Sequence, residues 1–310
     1  MTDAVHTLRL ATRQSRLALW QTEHVAALLR AAHPDLAIEI VPMTTQGDRI
    51  VDRSLAEVGG KGLFIKELEL AIEQGRADIA VHSMKDVPSE LPPGMSIAAM
   101  LPRADPRDAF ISKKHASFDA LPRGARVGTS SPRRQAQLKH ARADLEVLTL
   151  RGNVETRLRK LDAGEYDAII LAAAGLTRLG LAERITHYLD FAVSVPAVGQ
   201  GIIGIECRSS DTRSIELVRA LNDRHAAVCG AAERAFAARL QGNCFSPIAA
   251  HAQLDGDSLH LQGVVGSLDG SVLYRDSMTG SASDPEQVGI ELAQRLLAAG
   301  ADAVLRQDSP

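Results

Sequence analysis

A seven-residue pattern occurs twice in the chain, 89 residues apart. Gly75-Arg-Ala-Asp78-Ile-Ala-Val81 and Gly164-Glu-Tyr-Asp167-Ala-Ile-Ile170 each place a glycine after a helix-like run and an aspartate before three apolar residues. Glycine stops a helix because it enters the left-handed region without a Cβ clash. A short apolar run behind such a stop reads as a buried strand. The neighbouring elements repeat in the same order. In the first copy, Leu8–Ala11 reads as a strand and Ser15 as the N-cap of a helix to about Ala32. The strand Ala37–Pro42, a helix over Leu63–Gln74 and the strand Asp78–His82 follow. In the second, the strand Arg126–Gly128 leads through Thr129-Ser130-Ser131 to Pro132 at a first helical position. The strand Leu145–Leu150, the helix Val154–Ala163 and the strand Tyr166–Ala172 complete it. Two similar α/β lobes are the architecture this repeat permits.

The lobes are bounded by Pro102–Pro106 and by Val195-Pro-Ala-Val-Gly-Gln-Gly201, and Gly201–Arg208 reads as a strand returning to the first lobe. Two lobes joined by two crossings form a hinged ligand-binding layout. From about Asp223 a helix (Ala226–Leu240), three strands (Ile248–Leu254, Ser258–Val265, Leu273–Met278) and a last helix (Pro285–Ala299) read as a smaller domain. The expected fold class is therefore α/β: two similar lobes of periplasmic-binding-protein-like type with a central cleft, plus a smaller α+β C-terminal domain. The expected domains are 1–101 with 199–219, 107–195, and 223–310.

The formal charge of the 310-residue chain is −3, which excludes a globally basic nucleic-acid binder. Its cations are uneven: 28 are Arg and 7 are Lys. Genomic base composition is one reading of that excess; bidentate carboxylate or phosphate clamps are the other. Residues 121–160 carry a local balance of +7, which suits a small polyanionic ligand better than a long nucleic acid. Three cysteines without a CxxC pair argue against a disulfide framework or a structural metal site. No basic-plus-apolar leader pattern opens the chain, and the longest apolar run, Ala168–Ala174, is short for a membrane span. The expectation is a cytoplasmic protein with no nucleic-acid, membrane or metal partner.

Arg13-Gln14-Ser15, Thr129-Ser130-Ser131-Pro132-Arg133-Arg134, and Arg151-Gly152-Asn153 with Arg157 sit at expected strand ends and open helices. Free N–H groups at helix starts bind anions, and an adjacent Arg adds a bidentate donor, although any one such turn is equally an ordinary solvated cap. Gly59-Gly-Lys61-Gly62 departs from the phosphate-loop pattern and reads as a flexible lid carrying Lys61. Asp86, just past a buried strand, is either a turn cap before Pro88 or a carboxylate poised to stabilise a cation and relay protons. Cys207 and Cys229 fall in core patterns, whereas Cys244 lies in a loop after a helix.

Gly59-Gly-Lys-Gly-Leu-Phe64, Val81-His-Ser-Met-Lys-Asp-Val-Pro88, Gly128-Thr-Ser-Ser-Pro-Arg-Arg-Gln135, Leu150-Arg-Gly-Asn153 and Pro196-Ala-Val-Gly-Gln-Gly201 occur in order. With Glu233-Arg234 and Cys244-Phe-Ser-Pro247, they closely resemble the porphobilinogen deaminase (hydroxymethylbilane synthase) family over nearly the whole chain. That resemblance implies a transferase, monomeric, in tetrapyrrole and haem biosynthesis. It would condense four porphobilinogen molecules head to tail with loss of ammonia on a covalent dipyrromethane primer, then release hydroxymethylbilane by hydrolysis. Its partners would be porphobilinogen and oligopyrrole intermediates. The resemblance assigns the primer's thioether to Cys244 and catalysis to Asp86 with Lys85. Cofactor and substrate contacts fall to Arg13, Ser15, Ser83, Lys85, Thr129, Ser130, Ser131, Arg133, Arg134, Arg151, Arg157 and Gln200, and a mobile loop to Lys61 and Phe64. Gly242-Asn243 and Ser246 depart from the small residues and the Val or Ile usual around that cysteine. Asn tolerates left-handed backbone better than other non-glycine residues, so the loop is expected to keep its shape.

The chemistry agrees with the residues. Each pyrrole unit carries an acetate and a propionate, so a growing chain demands dense bidentate donors. The alternative reading is a two-lobed organic-anion binding protein without catalysis, which gives Cys244 no task.

Overall fold

The computed structural model describes residues 7–45, 47, 65–242 and 246–307. The chain divides into two compact units, Met1–Arg103 with Ile202–Ala227, and Ala104–Gly201 with Val228–Pro310. Elements are numbered in chain order.

The first unit contains β1 (Leu8–Arg13), α1 (Arg16–Ala32), β2 (Ile38–Met43), α2 (Lys66–Glu73), β3 (Ile79–Ser83) and β4 (Met95–Met100). It is completed by β10 (Ile203–Arg208) and α6 (Thr212–Arg219). Its sheet runs β2-β1-β3-β10-β4, with β1 parallel to β2 and β3, and β10 antiparallel to both its neighbours. The second unit contains β5 (Asp108–Ile111), β6 (Arg126–Gly128), α3 (Pro132–Ala141), β7 (Glu146–Leu148), α4 (Val154–Asp162), β8 (Ala168–Ala172), α5 (Ala173–Arg178) and β9 (His187–Tyr188). Their sheet runs β7-β6-β8-β5-β9, with β6 parallel to β7 and β8, and β5 antiparallel to both its neighbours. The two orders match position for position. The expected returning strand is β10 in one sheet, and its counterpart in the other is β5.

The repeated heptapeptide has a physical explanation. Gly75 and Gly164 end their helices at φ +66° and +79°, where a Cβ would be strained. Three residues on, Asp78 accepts from the backbone N–H of Arg9 (2.8 Å) and from its Nε (3.1 Å) and Nη2 (2.8 Å). Asp167 accepts from the same three groups of Arg126, at 2.9, 3.3 and 3.3 Å. Each arginine also donates to the carbonyl of its lobe's glycine. The repeat is thus a clamp tying the helix stop and third strand of each lobe to the first strand.

Both faces of the second sheet are covered. Ala109, Ile111, Ile169 and Leu171 pack on one side, and Phe110, Val127, Ala168 and Ile170 on the other. That explains the apolar run from Ala168 as a strand enclosed on two faces. Among the described residues no helix is long and apolar enough to cross a membrane.

Helix α7 (Arg224–Arg239) leads into an antiparallel sheet of β11 (Ile248–Asp255), β12 (Ser258–Gly266) and β13 (Leu273–Ser281), followed by α8 (Pro285–Ala298) and α9 (Ala301–Gln307). Its core joins Phe236 of α7, Leu259 and Leu261 of β12, Leu292 of α8 and Val304 of α9. The smaller α+β domain is therefore present, with a closing helix, α9, beyond the expected Pro285–Ala299. The expected helix from Leu63 begins, within the described residues, at Lys66.

Candidate functional site

Each of the three polar turns follows a parallel strand and opens a helix. Ser15 Oγ accepts from Ala18 N (3.3 Å) at α1, Ser131 Oγ from Arg134 N (3.4 Å) at α3, and Asn153 Oδ1 from Thr156 N (2.9 Å) at α4. Ordinary capping is thus satisfied at all three, and the ligand reading has to rest on what surrounds the caps. Thr129 Oγ1 accepts from Ser131 N (3.2 Å), and the Ser130 hydroxyl donates to Leu150 O (2.6 Å), binding the β6 turn to the β7 turn. Arg157 Nε donates to Gly152 O (2.8 Å), folding its guanidinium stem back over the same turn. Arg151, half-buried, makes no hydrogen bond or ion pair with a described residue. Arg13, at the end of β1, is half-buried and engaged.

In the first unit, β3 delivers Ser83 to a hydroxyl–amide contact with Gln21 Nε2 (2.9 Å). A single 3₁₀ turn, Met84–Asp86, follows, closed by Val87 N donating to Met84 O (3.1 Å). Met84 is buried beneath the turn, while Lys85 and Asp86 are half-buried. Among the described residues nothing hydrogen-bonds or pairs with the Asp86 carboxylate, so it does not act as the turn cap. Behind this turn, His82 Nε2 lies 2.9 Å from Glu206 Oε2, with both side chains enclosed. Burial pushes the nearby Glu69 carboxyl up to about 7, with Glu206 adding to the shift and His82 opposing it.

The densest polar cluster of the second unit centres on Asp108, at the start of β5 and fully enclosed. Its Oδ2 accepts from Arg133 Nη1 (2.8 Å) and Ser194 Oγ (2.8 Å). Its Oδ1 accepts from Arg134 Nη2 (2.7 Å), Gln200 Nε2 (2.9 Å) and Arg133 Nη2 (3.2 Å). Burial alone would raise the pKa of this carboxyl, but Arg133 and Arg134 outweigh it and hold the group far below the usual carboxylate range. Arg133 Nη1 also donates to Val195 O (2.6 Å), and Arg134 Nη1 to Ile170 O (3.0 Å). The two arginines are 4% and 5% exposed. Their Nε–H groups and Gln200 Oε1 are enclosed without a partner.

Two basic residues of the +7 segment are committed elsewhere: Arg126 pairs with Asp167, and Arg142 with Asp144 at 2.8 Å. That segment's charge is therefore partly spent inside the lobe. Conversely, Arg178 in α5 was not singled out in sequence. Its Nη2 donates to Gly201 O (2.7 Å), no acid among the described residues pairs with it, and burial lowers its pKa to about 10. A lone Arg in a short amphipathic run carries no signal; only the fold reveals that it is enclosed. Asp108 left a fainter trace, as the one charged residue opening an apolar strand (Asp108-Ala-Phe-Ile111). Cys244, Lys61 and Phe64 lie outside the described residues.

The arrangement supplies guanidinium and hydroxyl donors around strand ends, suited to carboxylates, and a separate unpaired carboxylate. Comparison with known proteins gives the following. A family model described as porphobilinogen deaminase, dipyromethane cofactor binding domain, matches residues 8–216, and one described as porphobilinogen deaminase, C-terminal domain, matches residues 227–298. A porphobilinogen deaminase of Syntrophotalea carbinolica is 54% identical over 298 residues, covering 96% of this chain and 95% of the relative. Among solved structures, the Bordetella pertussis BvgS periplasmic VFT2 domain aligns at TM-score 0.42 and 17% identity, covering 69% of this chain and 86% of that one. A TRAP periplasmic solute binding protein from Desulfovibrio salexigens aligns at TM-score 0.44 and 14% identity, covering 71% and 73%.

Proposed function

Because the chain belongs to the porphobilinogen deaminase family, we propose a specific division of labour for its residues in hydroxymethylbilane synthesis. The activity is that of a transferase that joins four porphobilinogen molecules head to tail, releases ammonia at each addition, and hydrolyses off the linear tetrapyrrole. The single observation that carries the assignment is the family match across nearly the whole length of both chains.

The donor set fits the cofactor's chemistry. A dipyrromethane carries acetate and propionate groups, and the unpartnered Nε–H groups of Arg133 and Arg134, together with Arg151, are donors to carboxylates. When bound, the cofactor supplies a pyrrole terminus on which the chain grows. Cys244 holds it as a thioether, a permanent bond and not a turnover intermediate. Thr129, Ser130, Ser131, Arg133, Arg134, Arg151 and Arg157 hold its acid groups and those of the growing chain, and Gln200, whose Nε2 is spent on Pro106 O and Asp108 Oδ1, offers its free Oε1 to a pyrrole N–H. In the first unit Arg13, Ser15, Ser83 and Lys85 do the same work. Arg178 joins them, since an enclosed guanidinium without an acid partner is favoured by an arriving carboxylate.

Asp86 is the catalytic carboxylate. Its role is to stabilise positive charge developing on an attacking pyrrole and to receive a proton from a ring nitrogen, a reading supported by its tight turn and by the lack of a partner among the described residues. Lys85 beside it balances the Asp86 charge, so the turn is neutral overall. We further propose that the protein acts as a cytoplasmic monomer, with functional domains at 1–101 with 199–219, 107–195 and 223–310, each carrying one sheet.

Incubation of the purified protein with porphobilinogen tests the assignment. The expected result is four ammonia released per linear tetrapyrrole formed. Binding of porphobilinogen without ammonia release would restore the reading of a non-catalytic organic-anion binder.

A further inference from the structure

Arg133 and Arg134 are the most enclosed of the arginines proposed as carboxylate donors, and the Nη nitrogens of both are already engaged by the protein. Two guanidiniums meet one carboxylate, so the enclosed cluster carries one net positive charge. Its two unspent Nε–H groups are fixed in direction by bonds on the other nitrogens. The element supplying the carboxylate is β5, the antiparallel strand of this sheet. The remaining bonds to it come from Ser194 and Gln200, on the segment that ends this unit's first stretch. Val195 O and Val195 N are held from α3 as well, by Arg133 Nη1 and by Gln137 Oε1 (2.8 Å) respectively. One aspartate therefore gathers a strand, a helix start and the 194–200 segment.

We propose that Asp108 is a positioning residue: its carboxylate sets the direction and the net charge of the Arg133–Arg134 pair, so that the pair accepts a single ligand carboxylate. The proposal rests on the reading above that these arginines take pyrrole acids. Without Asp108, two like charges would sit together in an enclosed space, and their repulsion would turn the side chains away from the directions these bonds now fix. Ser194 serves the same end more weakly, by fixing Oδ2 through a neutral donor.

The test is steady-state kinetics on cofactor-loaded protein for Asp108→Asn, Ser194→Ala and Arg134→Gln, with loading checked by intact mass. Ser194→Ala is included because it removes no charge, and it decides the matter if Asp108→Asn fails to fold. Positioning predicts that KM for porphobilinogen rises at least tenfold in Asp108→Asn and about threefold in Ser194→Ala, each per loaded molecule. A purely structural role would lower thermal stability and leave KM of the loaded fraction unchanged. That result, alongside a raised KM in Arg134→Gln, overturns the role of Asp108 and leaves the clamp reading standing. An unchanged KM in Arg134→Gln overturns the clamp reading, and the role of Asp108 with it.

Discussion

An arginine in the wall of a site offers a ligand only those N–H groups that the protein has not already used. Arg133 spends its Nη groups on Asp108, Ser194 and Val195, whereas Arg151 spends nothing on a described residue. The two therefore differ in kind, although both are strand-end arginines in sequence. Asp86 stands at the other extreme from Asp108. One carboxylate is enclosed and bonded on both oxygens, and so is committed to its two arginines; the other is half-buried and unpaired among the described residues, and so is free to take part in proton transfer and charge stabilisation. Replacing Asp86 by Asn keeps the size of the side chain and removes its charge. The expected outcome is retention of the covalent cofactor, read by intact mass, with kcat lowered about 100-fold or more, the range for loss of a positioned acid–base group. Near-normal turnover in Asp86→Asn would remove this residue from the chemistry.

At the scale of elements, β3 matters most in the first unit, because it ends in Ser83 and the Met84–Asp86 turn. Its inner face carries His82 against Glu206 of β10, with Glu69 of α2 close by. Glu73 also raises the Glu69 pKa, and Lys66 lowers it. Folded Glu69 keeps its proton up to about pH 7, whereas the unfolded chain releases it near 4.5. The folded state then binds more protons between those values, so this group makes stability fall as pH rises from about 4.5 to about 7. Glu69→Gln should remove that slope and raise the urea midpoint at pH 8 relative to pH 5. A midpoint at pH 8 lower than that of the unsubstituted protein would contradict it. The repeat around Asp78 and Asp167, the Ser15 cap, the helix starts at Pro132 and Val154, and the C-terminal strands were legible in sequence because each is a local pattern. Strand β5 was not: four residues are too few for a period, and Asp108 at its start looks like loop polarity until β8 and α3 close over it. Arg178 was hidden for the same reason, since enclosure is a property of packing and not of spacing.

For the molecule as a whole, the repeated heptapeptide accompanies two mixed sheets of the same order, and the third sheet differs in being wholly antiparallel. A net charge of −3 coexists with a cationic donor set because many arginines are neutralised locally: Arg9 by Asp78, Arg126 by Asp167, Arg142 by Asp144. Among the described residues, the extra charge of the Arg133–Arg134 pair, with Arg151 and Arg178, is not cancelled by such a local pair and suits an acid-rich ligand. Cys244 is proposed to carry a permanent dipyrromethane to which those donors are matched. Intact-mass spectrometry of the purified protein, beside its Cys244→Ala variant, tests it most directly. The expected result is one dipyrromethane above the sequence mass in the unsubstituted protein, and no addition and no turnover in the variant. An unmodified mass in the unsubstituted protein, with full activity in Cys244→Ala, would contradict it.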